Sequence, residues 1–373
     1  MRRIRPSRAL RVHVRTLLCL TLWVALTWHV HAAPIVWAVG AEGTVVTSSD
    51  MGLTWTPQVS GTSKDLRGVD FLSPLYGIAV GASGTLLRTT NGGSTWAPIA
   101  SGVTTTLHDV VLSGPDTGAA VGEGERLIRT LNGGESWITF TFVTSQSFRA
   151  LASASGPTLL AVGEDRVWAR STDGGIPWSS AGTNVAQTSN PPLHWVGVTG
   201  TGGTSAVAVG ADQNGGMVTR YNGSAWSPAV YIGSFAPTPT PLGFELFDVA
   251  FTGNTVVAVG AGGVVSRSSN GGFDWTAPTS VASFDLLDVE FFDALNGLAV
   301  GGDGNVIRTS DGGLTWSGPI DAASRTLFAV TFVEANIRSV AEPPTVLLTA
   351  MALLMLAMTR RYAGLGRTHT SGI

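Results

Sequence analysis

Between residues 35 and 333 the apolar positions fall into short runs that recur in a fixed order. One run reads Leu-x-x-Val: Leu66–Val69, Leu107–Val110, Phe148–Leu151, Leu193–Val196, Leu246–Val249, Leu286–Val289 and Leu327–Val330. A second is continuously apolar and closes on a glycine at Gly40, Gly81, Gly122, Gly163, Gly210, Gly260 and Gly301. A third precedes a polar turn that ends in tryptophan. Runs this short, bounded by Gly, Asn and Asp, predict β-strands and tight turns. The glycine markers are 41, 41, 41, 47, 50 and 41 residues apart. A period near 40–45 residues with this patterning predicts one four-stranded propeller blade per repeat.

The turn is written most fully as Arg308-Thr-Ser-Asp-Gly-Gly-Leu-Thr-Trp316. Its copies run from Asp50 to Trp55, Asn91 to Trp96, Asn132 to Trp137, Asp173 to Trp178, Asn270 to Trp275 and Asp311 to Trp316. A shortened copy runs from Asn222 to Trp226. The Asp or Asn can accept backbone N–H groups of its own turn, and the glycine two places on suits a left-handed backbone. Each Trp is expected to bury about 150–250 Å², worth at most about 4–6 kcal/mol. These copies resemble the Asp-box, or BNR, repeat. That resemblance implies a structural turn and a fold, and no activity by itself.

The first repeat opens on Ile35–Gly40, which matches a second strand; a spare first-strand pattern, Leu327–Phe332, follows the last turn. The economical solution is that residues 327–333 complete blade one. That predicts an all-β, seven-bladed propeller over 33–333, closed by its C-terminal strand, with no open sheet edge at the seam. Inner strands then end on the face that carries the box turns. Two lengthened blade-to-blade segments, Ser179–Pro192 and Pro228–Gly243, are expected on the opposite, top face, where insertions can mark a binding surface.

The chain has 373 residues, 48 of them glycine, and 13% charged residues, which fits many short strands and turns. A net charge of −3 argues against a nucleic-acid surface. The one cysteine, Cys19, lies in a stretch that reads as an export signal: six arginines from Arg2 to Arg15, an apolar run Leu17–Val30, and Val30-His31-Ala32 before the expected cut. Residues 1–32 are therefore expected to be removed by signal peptidase. At the other end, a linker (334–344) precedes the apolar run Thr345–Thr359 and a basic tail, 360–373, that opens with Arg360 and Arg361. Fifteen helical residues span about 22 Å, short of a full hydrocarbon core, so tight spanning with local thinning is expected. Glu342-Pro343, the apolar run and Arg360-Arg361 resemble a PEP-CTERM sorting tail, which implies recognition by an exosortase; a plain membrane anchor is the alternative. Ala341 replaces that motif's first proline, and twelve residues follow Arg361. The arginine placement puts the repeats outside the cytoplasm, on the periplasmic side of an inner membrane or at the cell surface.

Candidate chemistry is sparse. A sialidase-like glycoside hydrolase would need converging arginines and a Tyr–Glu pair. The six repeated arginines (Arg88, Arg129, Arg170, Arg220, Arg267, Arg308) occupy one framework position around a ring, and Tyr231, in a lengthened segment, is the sole tyrosine candidate. No metal site, no cofactor and no catalytic residue is expected. Arg67, His108, Arg149 and His194 share one inner-strand position by this alignment; with Trp195 and Tyr231 they form the candidate top-face binding rim. Such a rim suits an acidic, partly apolar partner.

Taken whole, Leu-x-x-Val-x-Phe, Gly-x-Ala-Val-Gly and Arg-Thr-x-Asp/Asn-Gly-Gly-x-Thr-Trp resemble the photosystem II stability/assembly factor family over roughly residues 35–333. The resemblance implies a seven-bladed, non-enzymatic propeller that holds a protein partner outside the cytoplasm. The pattern alone also admits a polysaccharide partner.

Overall fold

The structure is a computed structural model. It describes residues 33–334 apart from 125, 142–145, 156, 176–177, 182–193, 201–204, 213 and 233–243. The stretches expected to be a leader (1–32), a sorting motif and an apolar tail lie outside the described residues, as do most of the two lengthened segments. No helix among the described residues is long and apolar enough to cross a membrane.

Seven antiparallel four-stranded sheets form a seven-bladed propeller. Blade 2 shows the pattern: inner strand Leu66–Phe71, second strand Gly77–Gly81, third strand Leu86–Thr89, outer strand Ala97–Pro98. Blades 3 to 7 have their inner strands at Leu107–Leu112, Phe148–Ser155, His194–Gly200, Leu246–Thr252 and Leu286–Phe291. Blade 1 borrows its inner strand, Leu327–Val333, from the far end of the chain. That strand pairs antiparallel with Ile35–Gly40, from Ile35 opposite Val333 to Gly40 opposite Leu327. The expected ring closure is therefore present, and it covers what would otherwise be a free edge at Ile35–Gly40.

The continuously apolar second strands follow from their position. In Ile35–Gly40, Val36 and Ala38 pack toward blade 7, while Trp37 and Val39 pack toward blade 2. Both faces of the sheet are buried, so no polar alternation is tolerated. Seven core clusters result, one in each gap between neighbouring blades. The marker glycine has a steric cause. A Cβ on Gly40, Gly81, Gly122, Gly163, Gly210, Gly260 or Gly301 would stand 1.9–2.1 Å from the carbonyl oxygen of the residue just before that glycine's pairing partner on the inner strand.

The box turns join blades. Asp50 Oδ1 accepts the backbone N–H groups of Leu53 and Thr54 at 3.0 and 2.9 Å, and Asp311 does the same with Leu314 and Thr315. Gly52 and Gly313 hold φ of +78° and +81°, as the turn requires. A buried hydroxyl two residues ahead of the Asp or Asn completes the turn: Ser48 accepts from Gly52 N–H at 2.8 Å and donates to Asp50 at 2.7 Å. Thr89, Thr130, Ser171, Ser268 and Thr309 repeat this role. Each box Trp packs into the gap with the preceding blade; Trp96, Trp137, Trp178, Trp226 and Trp275 are buried, Trp55 and Trp316 partly so.

The repeated arginines reach the other way. Arg88, Arg129, Arg170, Arg220 and Arg267 each donate to a glycine carbonyl in the next blade's box, at Gly133, Gly175, Gly223, Gly271 and Gly312. They tie the ring together and do not converge. The box turns share a face with the hairpins that follow the inner strands, because Gly92 N–H donates to Leu75 O and Gly312 N–H to Leu295 O.

Candidate functional site

Every inner strand carries a β-bulge near its start. In blade 2, Leu66 pairs with Gly81 and Gly68 with Val80, leaving Arg67 unpaired between them. The same shift falls at Leu107/Asp109, Phe148/Ala150, Trp195/Gly197, Leu246/Asp248 and Leu286/Asp288, and opposite Val39/Gly40 in blade 1. Bulges re-aim a side chain. Here they present one residue per blade around the top of the ring: Arg67, His108, Arg149, Val196, Phe247, Leu287 and Phe328.

This register corrects the expected one in blade 5. Trp195, not Leu193, pairs with the marker Gly210, and a Cβ on Gly210 would meet the carbonyl of His194. His194 therefore stands where Asp65 stands in blade 2, one residue ahead of the partner of the marker glycine, and Val196 takes the bulge position. His194 is exposed, but it is not the fourth member of the Arg67 set. Trp195 is 1% exposed and fills the gap between blades 4 and 5, so it is a core residue and presents no surface. Tyr231 lies on a two-residue outer strand, Val230–Tyr231, and not in a loop. Its hydroxyl donates to Asp212 Oδ2 at 2.6 Å, far from the ring axis.

Each of the remaining three rim residues contacts a neighbouring blade. The Arg67 guanidinium stacks 4.0 Å over the Phe328 ring and pairs with Asp65 at 2.9 Å. Arg149 Nη1 lies 2.9 Å from His108 Nε2. A guanidinium can only donate, so this His108 nitrogen must be unprotonated. Burial, and then the Arg149 cation, pull the His108 pKa down to about 4, which keeps the ring neutral. Arg149 also pairs with Glu164 through two nitrogens. Burial alone would raise Glu164, but the hydrogen bond and charge of Arg149 outweigh it and hold it low. Blades 2 to 4 thus carry a cationic and polar arc; blades 5, 6, 7 and 1 carry an apolar one.

Below the bulges lies a cavity of about 350 Å³, walled by inner strands and lined by Asp70, Asp109, Asp248, Asp288 and Glu290. Four of these carboxylates staple one inner strand to the next. Asp70 accepts from Leu112 N–H at 2.6 Å, Asp109 from Leu151 at 2.7 Å, Asp248 from Val289 at 3.0 Å and Asp288 from Val330 at 2.6 Å. Burial is the main cause of their raised pKa values, about 6 for Asp70 and about 7 for Asp109, and the backbone donors offset it in part. Asp248 is pushed well up by burial and then by the Asp288 charge, and the pair shares a hydrogen bond. Glu290 is raised to about 8 by burial and then by Asp288, Asp70 and Asp109. Asp109, Asp248 and Asp288 occupy one strand position, directly after the bulge residue, and Asp70 and Glu290 sit two places further on.

No known family profile matches the chain, and no curated protein does. Solved structures do. YCF48 bound to a D1 peptide is 20% identical with a TM-score of 0.57, over 75% of this chain and 92% of that one. YCF48 from Cyanidioschyzon merolae is 19% identical with a TM-score of 0.51, over 70% and 86%. A GH74 xyloglucanase from Xanthomonas campestris is 15% identical with a TM-score of 0.56, over 80% of this chain and 54% of that one. The likeness is one of fold. It joins a peptide-binding propeller and a glycoside hydrolase, and so leaves the chemistry to the residues of this ring.

Proposed function

We propose that the chain is a non-enzymatic binding propeller whose top face takes an extended protein segment bearing carboxylates and apolar side chains. One observation carries this reading: the seven bulge residues divide into an arc with Arg67, His108 and Arg149 and an arc with Val196, Phe247, Leu287 and Phe328. Arg149 and Arg67 already hold carboxylates of their own chain, at Glu164 and Asp65, and remain about one-third exposed. A partner carboxylate can compete for the same donors, while its apolar side chains cover Phe247, Leu287 and Phe328. The D1 peptide on a YCF48 propeller gives a precedent for peptide binding on this fold. The channel carboxylates favour binding over hydrolysis, since four of the five are engaged by backbone donors. The Arg-rich start and the apolar Thr345–Thr359 run support export and membrane tethering, and an assembly-factor role is the finer form of the reading.

Fluorescence anisotropy tests it, with the full chain and a labelled synthetic peptide of alternating Asp and Phe. Arg67→Ala with Arg149→Ala should weaken binding about tenfold or more, and an Asn-for-Asp peptide should bind equally weakly to both proteins. Equal affinity for the two peptides, or turnover of xyloglucan oligosaccharides or sialosides, would overturn the proposal.

A further inference from the structure

The two faces of the ring differ in how much exposed apolar surface they carry. The top face is crowned by charged and polar groups, among them Glu42, Lys64, Asp65, Arg67, Glu164 and Arg325. The box face carries exposed carboxylates as well, among them Asp116, Glu135, Asp274 and Asp293, but it also gathers most of the exposed large apolar side chains. Of the eleven large hydrophobic residues exposed among the described residues, seven lie in box turns or in the hairpins beside them: Leu53, Leu72, Leu75, Leu131, Phe273, Leu295 and Leu314. Phe273 and Leu314 are 66% and 67% exposed.

Their distribution is uneven. Phe273 belongs to blade 6, Leu295 and Leu314 to blade 7, Leu53 to blade 1, Leu72 and Leu75 to blade 2 and Leu131 to blade 3. They form one arc over five consecutive blades, and its middle is blade 1. Blade 1 is also where the chain leaves the ring, because its inner strand ends at Val333 on the box face. Eleven residues, 334–344, separate Val333 from the apolar run Thr345–Thr359. Fully extended they reach at most about 36–40 Å, and any kink shortens that.

We propose that the box face of blades 6, 7, 1, 2 and 3 rests on the surface of the lipid bilayer that receives Thr345–Thr359. The occupant follows from two independent facts: the apolar arc is centred on the exit point, and the exit point is leashed to the chain's most apolar segment. The depth follows from the turns themselves. Asp50 and Asp311 lie within the arc, and hydrogen bonds keep both ionised, so the leucines reach the boundary between headgroups and acyl chains and no deeper. The arc carries no run of Lys or Arg, so contact does not require anionic lipid. Docked in this way, the ring points Arg67, His108 and Arg149 away from the membrane.

Site-directed probes in phosphatidylcholine vesicles test this. The full chain, on a Cys19→Ser background, receives one environment-sensitive fluorophore at Leu53→Cys, Leu314→Cys, Ser224→Cys or Lys64→Cys. Leu53 and Leu314 lie in the arc; Ser224 is on the box face outside it; Lys64 is on the top face. Doxyl-labelled phosphatidylcholine should quench the probes at 53 and 314 about threefold or more strongly than the probe at 64, with 224 in between. Equal quenching at all four sites would overturn the proposal. So would a blue-shifted probe at 314 without vesicles, which means that a second copy or the chain's own tail covers the arc. All four substitutions fall on exposed side chains, and far-ultraviolet circular dichroism confirms that each ring is folded.

Discussion

Glu290→Gln separates the electrostatics of the channel from its packing. Glu290 stands on the inner strand of blade 7, faces the lumen, and is reached by no hydrogen bond among the described residues. Burial first, then the charges of Asp288, Asp70 and Asp109, raise it from 4.5 to about 8. A carboxyl whose folded pKa exceeds its unfolded one binds more protons when folded. Its contribution is therefore complete below about pH 4.5 and is lost as the pH rises toward 8. In a dry site that rise in pKa would correspond to about 5 kcal/mol. The side chain is exposed to lumen water even though the ring wall encloses it, and that exposure governs the discount. About 1 kcal/mol remains after screening, or roughly 2 °C in Tm for a domain of this size. Melting followed by circular dichroism should then show Glu290→Gln equal to the parent at pH 5 and about 2 °C more stable at pH 9. The parent should lose stability between pH 5 and 9, with Asp70 and Asp109 acting in the same direction. A parent Tm that is flat or rising over that window, or a variant that gains equally at both pH values, would refute the reasoning.

Two further substitutions probe what holds the ring. Gly81→Ala places a Cβ 1.9 Å from the Asp65 carbonyl oxygen and should cost about 3 kcal/mol. Gly61→Ala has φ of +77° but open space around it and should cost about 1 kcal/mol; urea melts that ranked them in reverse would remove the steric account of the marker glycine. Arg267→Met deletes a 2.8 Å bond to Gly312 O in the next blade's box and should cost about 1–2 kcal/mol. A variant as stable as the parent would mean that the arginine ladder only decorates the gap.

The period, the closed ring and the box turns were legible because they rest on local chemistry repeated seven times. Apolar runs buried on both faces, a turn that needs Asp or Asn, and a glycine pressed against a carbonyl all leave marks in sequence. The bulge residues were half legible. Arg67, His108 and Arg149 shared a recognisable position, but the shift that lifts them out of the ladder is a property of pairing and not of any one strand. Blade 5 went astray by two residues because Leu193 and Trp195 are both apolar and both suit an inner-strand start. Only the contact between Gly210 and the His194 carbonyl, across two strands, decides between them. Tyr231 looks like loop in the sequence because proline and an insertion surround it, while its two-residue strand is fixed by Met217 and Val218 opposite. A hydroxyl such as Ser48, Thr89 or Thr309 stands in each of the six full copies of the turn, yet its role emerges only once the glycine N–H is seen to point at it.

The seam of blade 1 joins partners separated by about 300 residues of chain. A ribosome must add those residues before the last strand exists to zip against the first. Until then Ile35–Gly40 waits as a bare template that any other nascent copy could occupy. Contacts this distant in sequence also make the final step slow. The ring therefore closes only after every other strand has been made, and its last step is the pairing of Leu327–Val333 with Ile35–Gly40.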